Sequence, residues 1–584
     1  MADSDRTVDY IVALIRQSGA LPNADDECIR AVAEVSDWVT VFGGSTLFAQ
    51  GDPSDALFIS VSGLLGAYFR NSSGEETLLD RIGPGELIGE MGCVTQEARS
   101  ATIRALRTSE VLKVSWDAIE PLSRKHPALL LSLSRTVVTR LKNLREGKPV
   151  QMRPRTLCVL PHCNDRTMRD FIGDLLAELS VLGPTILVTR DQCFDYTTDK
   201  LFALEAAHDH VVYLAEGNRT PWSRLCLRQA DKVLVVLEGP EAARPIEPFD
   251  DLISAGIPTD LILLWPGEIQ PGKTLPWLDT LRPRAHYHVR RRADVGRAAR
   301  LLVGDGLGVV LSGGGARGLA HVGISCALLD NGVPIDAVIG TSIGALVGGT
   351  IAMEWDEAMS RSRAHAFSRK HPLFEIVIPY RSLLSGRNLR NSLAEWYGDT
   401  DIAETPIPFA CVTANLNTSL ISMHYRGKLK TWIQASASMP GIFPPVLDDG
   451  AVHVDGGVMN NLPTDLVRGM GAGFVVGVDV GAVVEDAPAD DARAKAARAA
   501  RAPPSIVEVL MRVATLGSDA RNLALRQQCD VLLKPDVQSV SLLDFRSYDR
   551  AIKLGYECAA GKIGQIKQRI PDALVAGAPV LVEL

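Results

Sequence analysis

The amino-acid sequence predicts a multidomain α/β protein with a β-barrel or jelly roll, a middle parallel α/β segment and a final α/β domain. Short strand-like runs broken by glycine occupy residues 37–114. Continuous apolar runs alternate with helical stretches over residues 155–299, and two glycine-containing turns join strands to helices after residue 308. The 584 residues suffice for three or four domains, and a hydrophobic content of 46% supplies their cores.

The first domain is expected over residues 1–150. Residues 56–63 and 64–69 form two apolar runs separated at a glycine, a spacing typical of short strands in a small β-barrel or jelly roll. Leu129, Leu133 and Val137 then repeat at helical spacing within a helical region over 116–144. The sequence therefore predicts a β domain that is followed by helix.

A polar segment lies inside this β domain. Gly89 and Glu90 are followed by Arg99, Ser100 and Ala101. A buried arginine beside backbone amides suits a phosphate, and a glutamate suits a ribose hydroxyl. The segment is a candidate site for a phosphorylated ligand.

The middle segment, residues 151–300, contains five continuous apolar runs at 157–160, 185–188, 211–214, 233–237 and 261–264. Such runs are typical of parallel strands that are covered on both faces by helices. The segment has no Gly-rich loop, so a rigid spacer or a signal relay is the simpler expectation for it.

The most informative motif is Gly340-x-Ser342-x-Gly344, between the apolar run 337–339 and the small-residue stretch 345–349. This is the layout of a nucleophile elbow, a sharp strand-to-helix turn that carries a serine. Glycines on either side allow two backbones to cross, and the hydroxyl lies at a helix N-terminus that favours negative charge. Ser342 is therefore the candidate nucleophile.

A Gly-rich loop precedes the elbow. The loop 312–318 separates the apolar run 309–311 from a helical stretch over 319–330, and its amides suit an oxyanion. Its spacing also fits G-x-G-x-x-G, the dinucleotide fingerprint, which requires an acid at the end of the next strand. Asp336 stands at the start of that strand, so the dinucleotide alternative is less favoured.

Asp455 ends a strand-like run and precedes Gly456 and Gly457. It is either a turn aspartate or the base for Ser342. No histidine follows His453, so the order serine, aspartate, histidine is impossible with Asp455 as the acid. A direct Ser–Asp partnership is simpler, and it requires a raised carboxylate pKa or a strongly stabilising oxyanion hole.

Taken in order, GGGARG, GTSIG and DGG resemble the motifs of the patatin-like phospholipases, over about residues 307–480 within a domain of 301–484. The resemblance implies a lipid acyl hydrolase with Ser342 as nucleophile and Asp455 as base. It places four residues in the oxyanion-hole loop: Gly313, Gly314, Gly315 and Ala316. Supporting motif positions are Arg317, Gly318, Gly340, Gly344, Gly456 and Gly457. Residues 434–445 are similar to the family's SAS-x-P segment, which is expected to line the acyl pocket.

The polar segment of the first domain resembles the phosphate-binding cassette of cyclic nucleotide-binding domains. That resemblance implies Glu90 on the ribose 2′-OH and Arg99 on the cyclic phosphate, with Gly89, Ser100 and Ala101 assisting. The ligand would be cAMP or cGMP; alternatively, Glu90 and Arg99 pair across an empty cassette.

Together, the two domains resemble the neuropathy target esterase family, which implies hydrolysis of lysophospholipid or phospholipid acyl esters without a cofactor or a metal. One alternative is a cyclic-nucleotide-responsive scaffold with an inactive hydrolase domain. A second is a transcription factor, but no helix-turn-helix pattern follows the β domain.

Composition limits partners and location. A net charge of −8 gives no support for a nucleic-acid partner, and the ten cysteines show no C-x-x-C spacing. The sequence has neither a signal-peptide pattern nor an apolar run of the roughly 18–20 residues that a membrane span needs. We expect a cytoplasmic protein, without the membrane span of animal family members, that visits the membrane surface transiently.

Residues 485–584 are expected to form a linker and a helical region that packs on the catalytic domain. Residues 486–504 are rich in alanine and arginine, and 506–526 carry an apolar stripe at helical spacing.

Overall fold

The computed structural model describes residues 8–570 except 19, 22–23, 72–75, 96, 147–152, 193–197, 218–219, 247–256, 370–375, 378–379, 381, 482–508, 511–512, 514–520 and 543. The linker predicted over 486–504 lies outside the described residues, as does most of the predicted helix over 506–526. The chain divides into two compact units: one comprises the described parts of 1–164, 183–236 and 245–261, and the other those of 165–182, 237–244 and 262–584.

The first unit begins with a six-stranded antiparallel sheet of order β1-β6-β3-β4, with β2 paired to β6 and β5 to β3. Its strands are β1 (Ser36–Val41), β2 (Thr46–Phe48), β3 (Ala56–Arg70), β4 (Glu76–Ile82), β5 (Leu87–Ile88) and β6 (Thr102–Ser115). The helices around it are α1 (Val8–Ser18), α2 (Asp26–Glu34), α3 (Glu90–Thr95), α4 (Trp116–Lys125) and α5 (Pro127–Glu146).

Two sequence predictions for this region need correction in detail. The runs 56–63 and 64–69 form one strand, β3, whose pairing with β6 shifts register around Gly63. Gly63 has a φ of 96° and lies against Ser109, so it places an irregularity within the strand rather than a turn. The helical region over 116–144 is two helices, because Pro127 begins a new helix after His126.

The middle sheet has the order β12-β11-β10-β7-β9-β8, and β9 pairs in parallel with β7 and β8. Its strands are β7 (Thr156–His162), β8 (Thr185–Val188), β9 (His210–Leu214), β10 (Lys232–Glu238), β11 (Thr259–Leu264) and β12 (Ala285–Val289). The helices are α6 (Asp165–Leu182), α7 (Thr198–Ala207), α8 (Pro221–Gln229), α9 (Thr274–Leu281) and α10 (Arg292–Val303). The strand that sequence analysis missed, β12, is an edge strand that alternates two histidines with apolar residues.

The third sheet has eight strands in the order β17-β18-β15-β14-β13-β19-β20, with β16 paired to β15. Its strands are β13 (Gly306–Leu311), β14 (Ala337–Thr341), β15 (Phe409–Asn415), β16 (Leu420–His424), β17 (Val446–Asp448), β18 (Ala451–Asp455), β19 (Ala472–Val478) and β20 (Val531–Leu533). Strands β15, β14, β13, β19 and β20 are parallel, whereas β16, β17 and β18 pair antiparallel. The multidomain α/β organisation predicted from the sequence is thus confirmed.

The helices of this last region are α11 (Ala320–Asp330), α12 (Ile343–Ala352), α13 (Glu357–Arg369), α14 (Arg387–Tyr397), α15 (Leu429–Ser436), α16 (Thr464–Val467), α17 (Tyr548–Ala560) and α18 (Ile563–Lys567). Helix α17 crosses α11 closely, because Gly323 faces the carbonyl of Ile552 and Gly555 faces that of Ala320. Ile552 and Ile566 are fully buried in one apolar core with the strands of the sheet. The C-terminal helices are therefore part of the hydrophobic core of this last region.

None of the helices in the described part of the chain combines the length and the apolar character that crossing a bilayer requires.

Candidate active site

Ser342 occupies a strained turn between β14 and α12. Its φ is 57° and its ψ is −123°, a conformation that L-residues rarely adopt. A side chain at Gly340 would collide with the backbone of Gly344, and one at Gly344 would collide with the carbonyl of Leu311. The two glycines therefore allow the tight strand-to-helix crossing that holds the serine up, as expected for a nucleophile elbow.

The sheet register brings Asp455 next to the end of β14. Thr341, the last residue of β14, pairs with Val412 of β15, and Asp455 pairs with the next residue, Thr413. The other edge of β15 is occupied there by β16, because Thr413 also pairs with Ser422. Strand β18 therefore pairs with the same edge of β15 as β14 does, beyond the point where β14 ends. The last residue of β18, Asp455, lies beside the elbow.

The Asp455 carboxylate has the properties of a base. It is fully buried, its Oδ1 accepts a 2.8 Å hydrogen bond from the Gly457 amide, and burial raises its pKa to about 6. The nearby Ser342 side chain and the Gly457 amide oppose this rise in pKa. The second oxygen, Oδ2, is buried without a hydrogen-bond partner among the described residues, so it is available to accept a proton.

The four loop amides predicted for the oxyanion hole have different surroundings. The Gly313 N–H donates to Asn461 Oδ1 at 3.0 Å, and the Ala316 N–H donates to the Leu542 carbonyl at 2.8 Å. Within the described residues, the N–H groups of Gly314 and Gly315 have no acceptor. They are the two loop donors that an oxyanion could use.

The loop lies directly against the candidate nucleophile, Ser342. A Cβ on Gly313 would be 3.0 Å from Ser342 Cβ, and one on Gly318 would collide with the side chain of Ile343. Arg317 donates from Nε to the Val540 carbonyl at 2.8 Å, and burial lowers its pKa. In this structure, Arg317 therefore fastens the loop to the C-terminal region.

Two serines of the segment 434–445 form hydrogen bonds to the backbone of Ser342 and Asp455, a role that the sequence did not indicate. Ser436 Oγ accepts a hydrogen bond from the Ser342 N–H at 2.9 Å and donates to the Val412 carbonyl at 2.7 Å. The Ser438 carbonyl accepts from the Asp455 N–H at 2.9 Å. The resemblance had suggested only an acyl-pocket lining for this segment, but the segment also fixes the backbone of both candidate catalytic residues.

Asn461 is a second residue that the motifs did not identify. Its Oδ1 accepts from the Gly313 N–H, and its Nδ2 donates to the Gly313 carbonyl at 3.2 Å. This paired contact resembles the closure of a β ladder by a side chain, and it fixes the peptide planes on both sides of Gly313. The only advance signal was an asparagine six residues after Asp455.

The nearest histidine in sequence, His453, is engaged elsewhere. Its Nδ1 lies 3.0 Å from Thr413 Oγ1, and its ring packs edge-on against His424 and Trp432. Burial lowers its pKa, so it is neutral. This placement agrees with a mechanism in which Asp455 acts on Ser342 without an imidazole.

In the first unit, Arg99 is buried and its guanidinium contacts backbone oxygens. It donates to the Ala56 carbonyl at 2.7 Å and to the Gly89 carbonyl at 3.2 Å, and it stacks 4.2 Å from the centre of the Phe48 ring. Glu90 is also buried at the start of α3, whereas Ser100 is exposed and Ala101 half-buried. The cassette residues thus cluster at the β5–α3 turn and the start of β6.

A buried ionic cluster joins this β domain to the middle sheet within the same unit. Arg107 of β6 lies 3.0 Å from both Glu205 carboxylate oxygens and from Asp231 Oδ1, and it donates to the Gln229 carbonyl at 2.9 Å. Burial alone would lower the pKa of Arg107, but Asp231 and Glu205 raise it on balance. The charged guanidinium of Arg107 therefore connects β6, the strand that follows the cassette, with α7.

Among the described residues, no group of three or more histidine, cysteine or acidic side chains is arranged to hold a metal ion, and the described cysteines form no disulfide.

Three family models match the chain in succession. The cyclic nucleotide-binding domain matches residues 39–126, the neuropathy target esterase family P-loop like domain residues 153–302, and patatin-like phospholipase residues 309–468.

Similar whole proteins occur in animals and fungi. The chain is 30% identical to mouse patatin-like phospholipase domain-containing protein 7 over 78% of its length, 27% identical to Drosophila melanogaster neuropathy target esterase sws over 76%, and 26% identical to Coccidioides immitis lysophospholipase NTE1 over 91%. These alignments span 39%, 36% and 40% of the relatives' own lengths, so the chain matches about two fifths of each relative.

Proposed function

Because this chain carries the patatin-like phospholipase, cyclic nucleotide-binding and neuropathy target esterase P-loop like domains, we propose that it is a serine esterase that hydrolyses acyl esters of lysophospholipids or phospholipids. The observation that carries the proposal is the pairing of Ser342, on a strained elbow, with the buried Asp455, whose pKa is raised to about 6. A base with that pKa is largely ionised at neutral pH and still accepts a proton.

The proposed reaction has two halves. Asp455 takes the hydroxyl proton as Ser342 Oγ forms a bond to the ester carbonyl carbon, and the amides of Gly314 and Gly315 stabilise the oxyanion. The proton then passes to the departing alcohol as the original C–O bond breaks, which leaves an acyl-enzyme. Asp455 next takes a proton from water as the water oxygen bonds to the acyl carbon. Cleavage of the acyl–Ser342 bond returns that proton to Oγ and releases the fatty acid.

The substrate class rests on the relatives, which are named as phospholipases, a neuropathy target esterase and a lysophospholipase. A lysophospholipid is dispersed more readily in water than a two-chain lipid. Two-chain substrates require contact with a membrane surface, and we propose that this contact is transient.

Fatty-acid release from lysophosphatidylcholine by the purified protein tests the esterase proposal. Ser342→Ala should reduce release to background, and Asp455→Asn should reduce it by at least about a hundredfold. Ser419→Ala is a matched control, because Ser419 also has a positive φ but lies exposed in the turn after β15. If the wild-type protein hydrolysed neither this lipid nor a short-chain p-nitrophenyl ester, the alternative would be favoured: a cyclic-nucleotide-responsive scaffold with an inactive hydrolase domain.

We further propose that the first domain binds a cyclic nucleotide that regulates the esterase. Arg99 would hold the cyclic phosphate and Glu90 the ribose 2′-OH, with Gly89, Ser100 and Ala101 assisting. In the present geometry, the Arg99 guanidinium contacts the Gly89 and Ala56 carbonyls, and some of these contacts would be exchanged for phosphate oxygens.

Titration calorimetry with cAMP and with cGMP tests nucleotide binding. Arg99→Ala should weaken binding by at least about thirtyfold, since it removes a buried charge-assisted contact. Arg104→Ala is the matched control, because Arg104 lies on β6 and pairs at the surface with Glu76. Absence of heat with both nucleotides for wild-type protein would contradict nucleotide regulation and would leave the esterase proposal unaffected.

A further inference from the structure

A cavity of about 320 Å³ is lined by β12, by residues of the segment 402–409 and by residues of β16 and α16, and it includes neither Ser342 nor Asp455. Its lining includes Phe409, at the beginning of β15, and Phe409 pairs with Val338 in β14. Ser342 directly follows β14, four residues beyond Val338, which corresponds to about 13 Å at the rise of a strand. The cavity is therefore at the amino ends of the parallel strands, opposite the end where the nucleophile stands.

The interior of the cavity is apolar. Its lining includes the apolar side chains of Ile402, Phe409, Met423, Leu466 and Met470. The volume falls at the lower end of the range of ligand cavities, roughly 300–1,000 Å³, and is large enough for a single aliphatic chain of moderate length.

The two histidines that line the cavity are already hydrogen-bonded to protein groups. His286 Nε2 and His288 Nε2 each lie 2.8 Å from the Ala403 carbonyl, and Trp265 Nε1 donates to His288 Nδ1 at 2.9 Å. Burial and the neighbouring His286 lower the pKa of His288 to about 3. The His288 ring therefore contributes a neutral wall to the cavity.

Arg284 is the one residue with a full charge among the fifteen that line the cavity. It is exposed, and within the described part of the chain it forms no ion pair. No acidic residue lines the cavity. An exposed cation beside an apolar chamber matches a ligand with an anionic head and an apolar tail.

We propose that this cavity binds a single-chain amphiphile with an anionic head, the tail lying on Phe409, Leu466 and Met470 and the head on Arg284. The head is the carboxylate of a fatty acid or the phosphate of a single-chain lipid, since both offer oxygen acceptors to a guanidinium. The site does not depend on the esterase activity, because no step at Ser342 is needed for binding.

Photolabelling locates the site without turnover. Full-length Ser342→Ala protein is irradiated with a diazirine-bearing long-chain fatty acid, and the modified peptides are identified by mass spectrometry. Label within 284–288, 402–409 or 466–470 is the expected result, and it should be displaced by dodecanoate. Label confined to peptides around residues 342 and 455, or no saturable label, would overturn the proposal.

Calorimetry with defined ligands tests the role of each part of the cavity. Arg284→Gln should weaken dodecanoate binding about tenfold and leave dodecanol binding unchanged. Leu466→Trp should fill the cavity and weaken the binding of both ligands by at least about tenfold. Leu420→Trp, at an exposed position on β16 outside the cavity lining, should leave the binding of both ligands unchanged. Comparison of dodecanoate with dodecyl phosphate distinguishes a fatty acid from a phosphate-headed lipid. If Arg284→Gln weakened dodecanoate binding and dodecanol binding equally, the proposed position of the head on Arg284 would be contradicted.

Discussion

Ser342 and Asp455 meet because β14 and β18 end at consecutive positions along the same edge of β15. Thr341 pairs with Val412 and Asp455 with Thr413, so the end of β14 and the end of β18 are consecutive along that edge. The candidate nucleophile and the candidate base are separated by 112 intervening positions in sequence, from 343 to 454, yet Asp455 ends β18 and Ser342 directly follows the last residue of β14. Motifs identify such residues, but only the register explains their contact.

The pH profile of hydrolysis should report Asp455. Its carboxylate must be ionised to act as a base, and its pKa is raised to about 6 mainly by burial. We therefore expect kcat/KM for a short-chain ester to rise with pH through about 6 and to fall about tenfold per unit below it. The measurement is acid release by chromatography, because a p-nitrophenol signal itself depends on pH. If the acidic limb of the kcat/KM profile had an apparent pKa near 4, the ordinary carboxylate value, the proposed role of burial would be contradicted.

The same carboxylate should lower the stability of the folded protein at neutral pH. A raised pKa means that the native state binds the proton more tightly than the unfolded state, so stability falls as pH rises from about 4 to about 6 and is then constant. Asp455→Asn removes this effect. The variant should therefore melt above wild type at about pH 7.5, by no more than about 3 kcal/mol in free energy, and gain little at about pH 4.5. A gain of equal size at both pH values would indicate a packing effect.

Local patterns identified five of the six strands of the middle sheet and the two candidate catalytic residues. Ser342 and Asp455 could be recognised because each lies at a sharp turn beside glycines. A side chain at most of those glycine positions would collide with neighbouring backbone atoms, so the glycines form a pattern that can be read in the sequence. Strand β12 was missed because its histidines interrupt the apolar run, and their hydrogen bonds to Ala403 form only in the folded chain. Ser436 and Asn461 were missed for a related reason: their roles depend on hydrogen bonds to residues 94 and 148 positions away.

Ser436 should be a positioning residue for the nucleophile. Ser436→Ala removes the acceptor of the Ser342 N–H in a strained turn, so the hydroxyl should lose its alignment with Asp455. We expect kcat to fall about ten- to a hundredfold with little change in KM. Ser438→Ala is the matched control, because Ser438 supports Asp455 through its carbonyl and its own hydroxyl donates only to the Gln434 carbonyl. Equal losses in the two variants would contradict this role.

Arg107 should stabilise the strand that links the cassette to the middle sheet. Arg107→Met leaves the Glu205 and Asp231 carboxylates near one another without their cation, a change that typically costs about 3–5 kcal/mol for a buried pair. Amides of β6 should then exchange hydrogen faster, as measured by mass spectrometry. Arg104→Met, which removes a more exposed ion pair with Glu76 on the same strand, should change exchange little. Unchanged exchange in Arg107→Met would show that the cluster does not stabilise β6.

Asn461 should determine whether the oxyanion loop is preorganised. The paired contacts of its amide with the Gly313 N–H and carbonyl hold the loop while the Gly314 and Gly315 amides remain without acceptors. Asn461→Asp retains the acceptor but replaces the donor with a carboxylate oxygen, which faces the Gly313 carbonyl and repels it. We therefore expect kcat to fall about a hundredfold or more in Asn461→Asp and about tenfold or more in Asn461→Ala, with KM nearly constant. The order of the two variants is the informative result: a simple loss of packing would make Asn461→Ala the more damaging change. Labelling of Ser342 by a small organophosphonate should slow in the same order, because phosphonylation also develops negative charge on an oxygen at the hole.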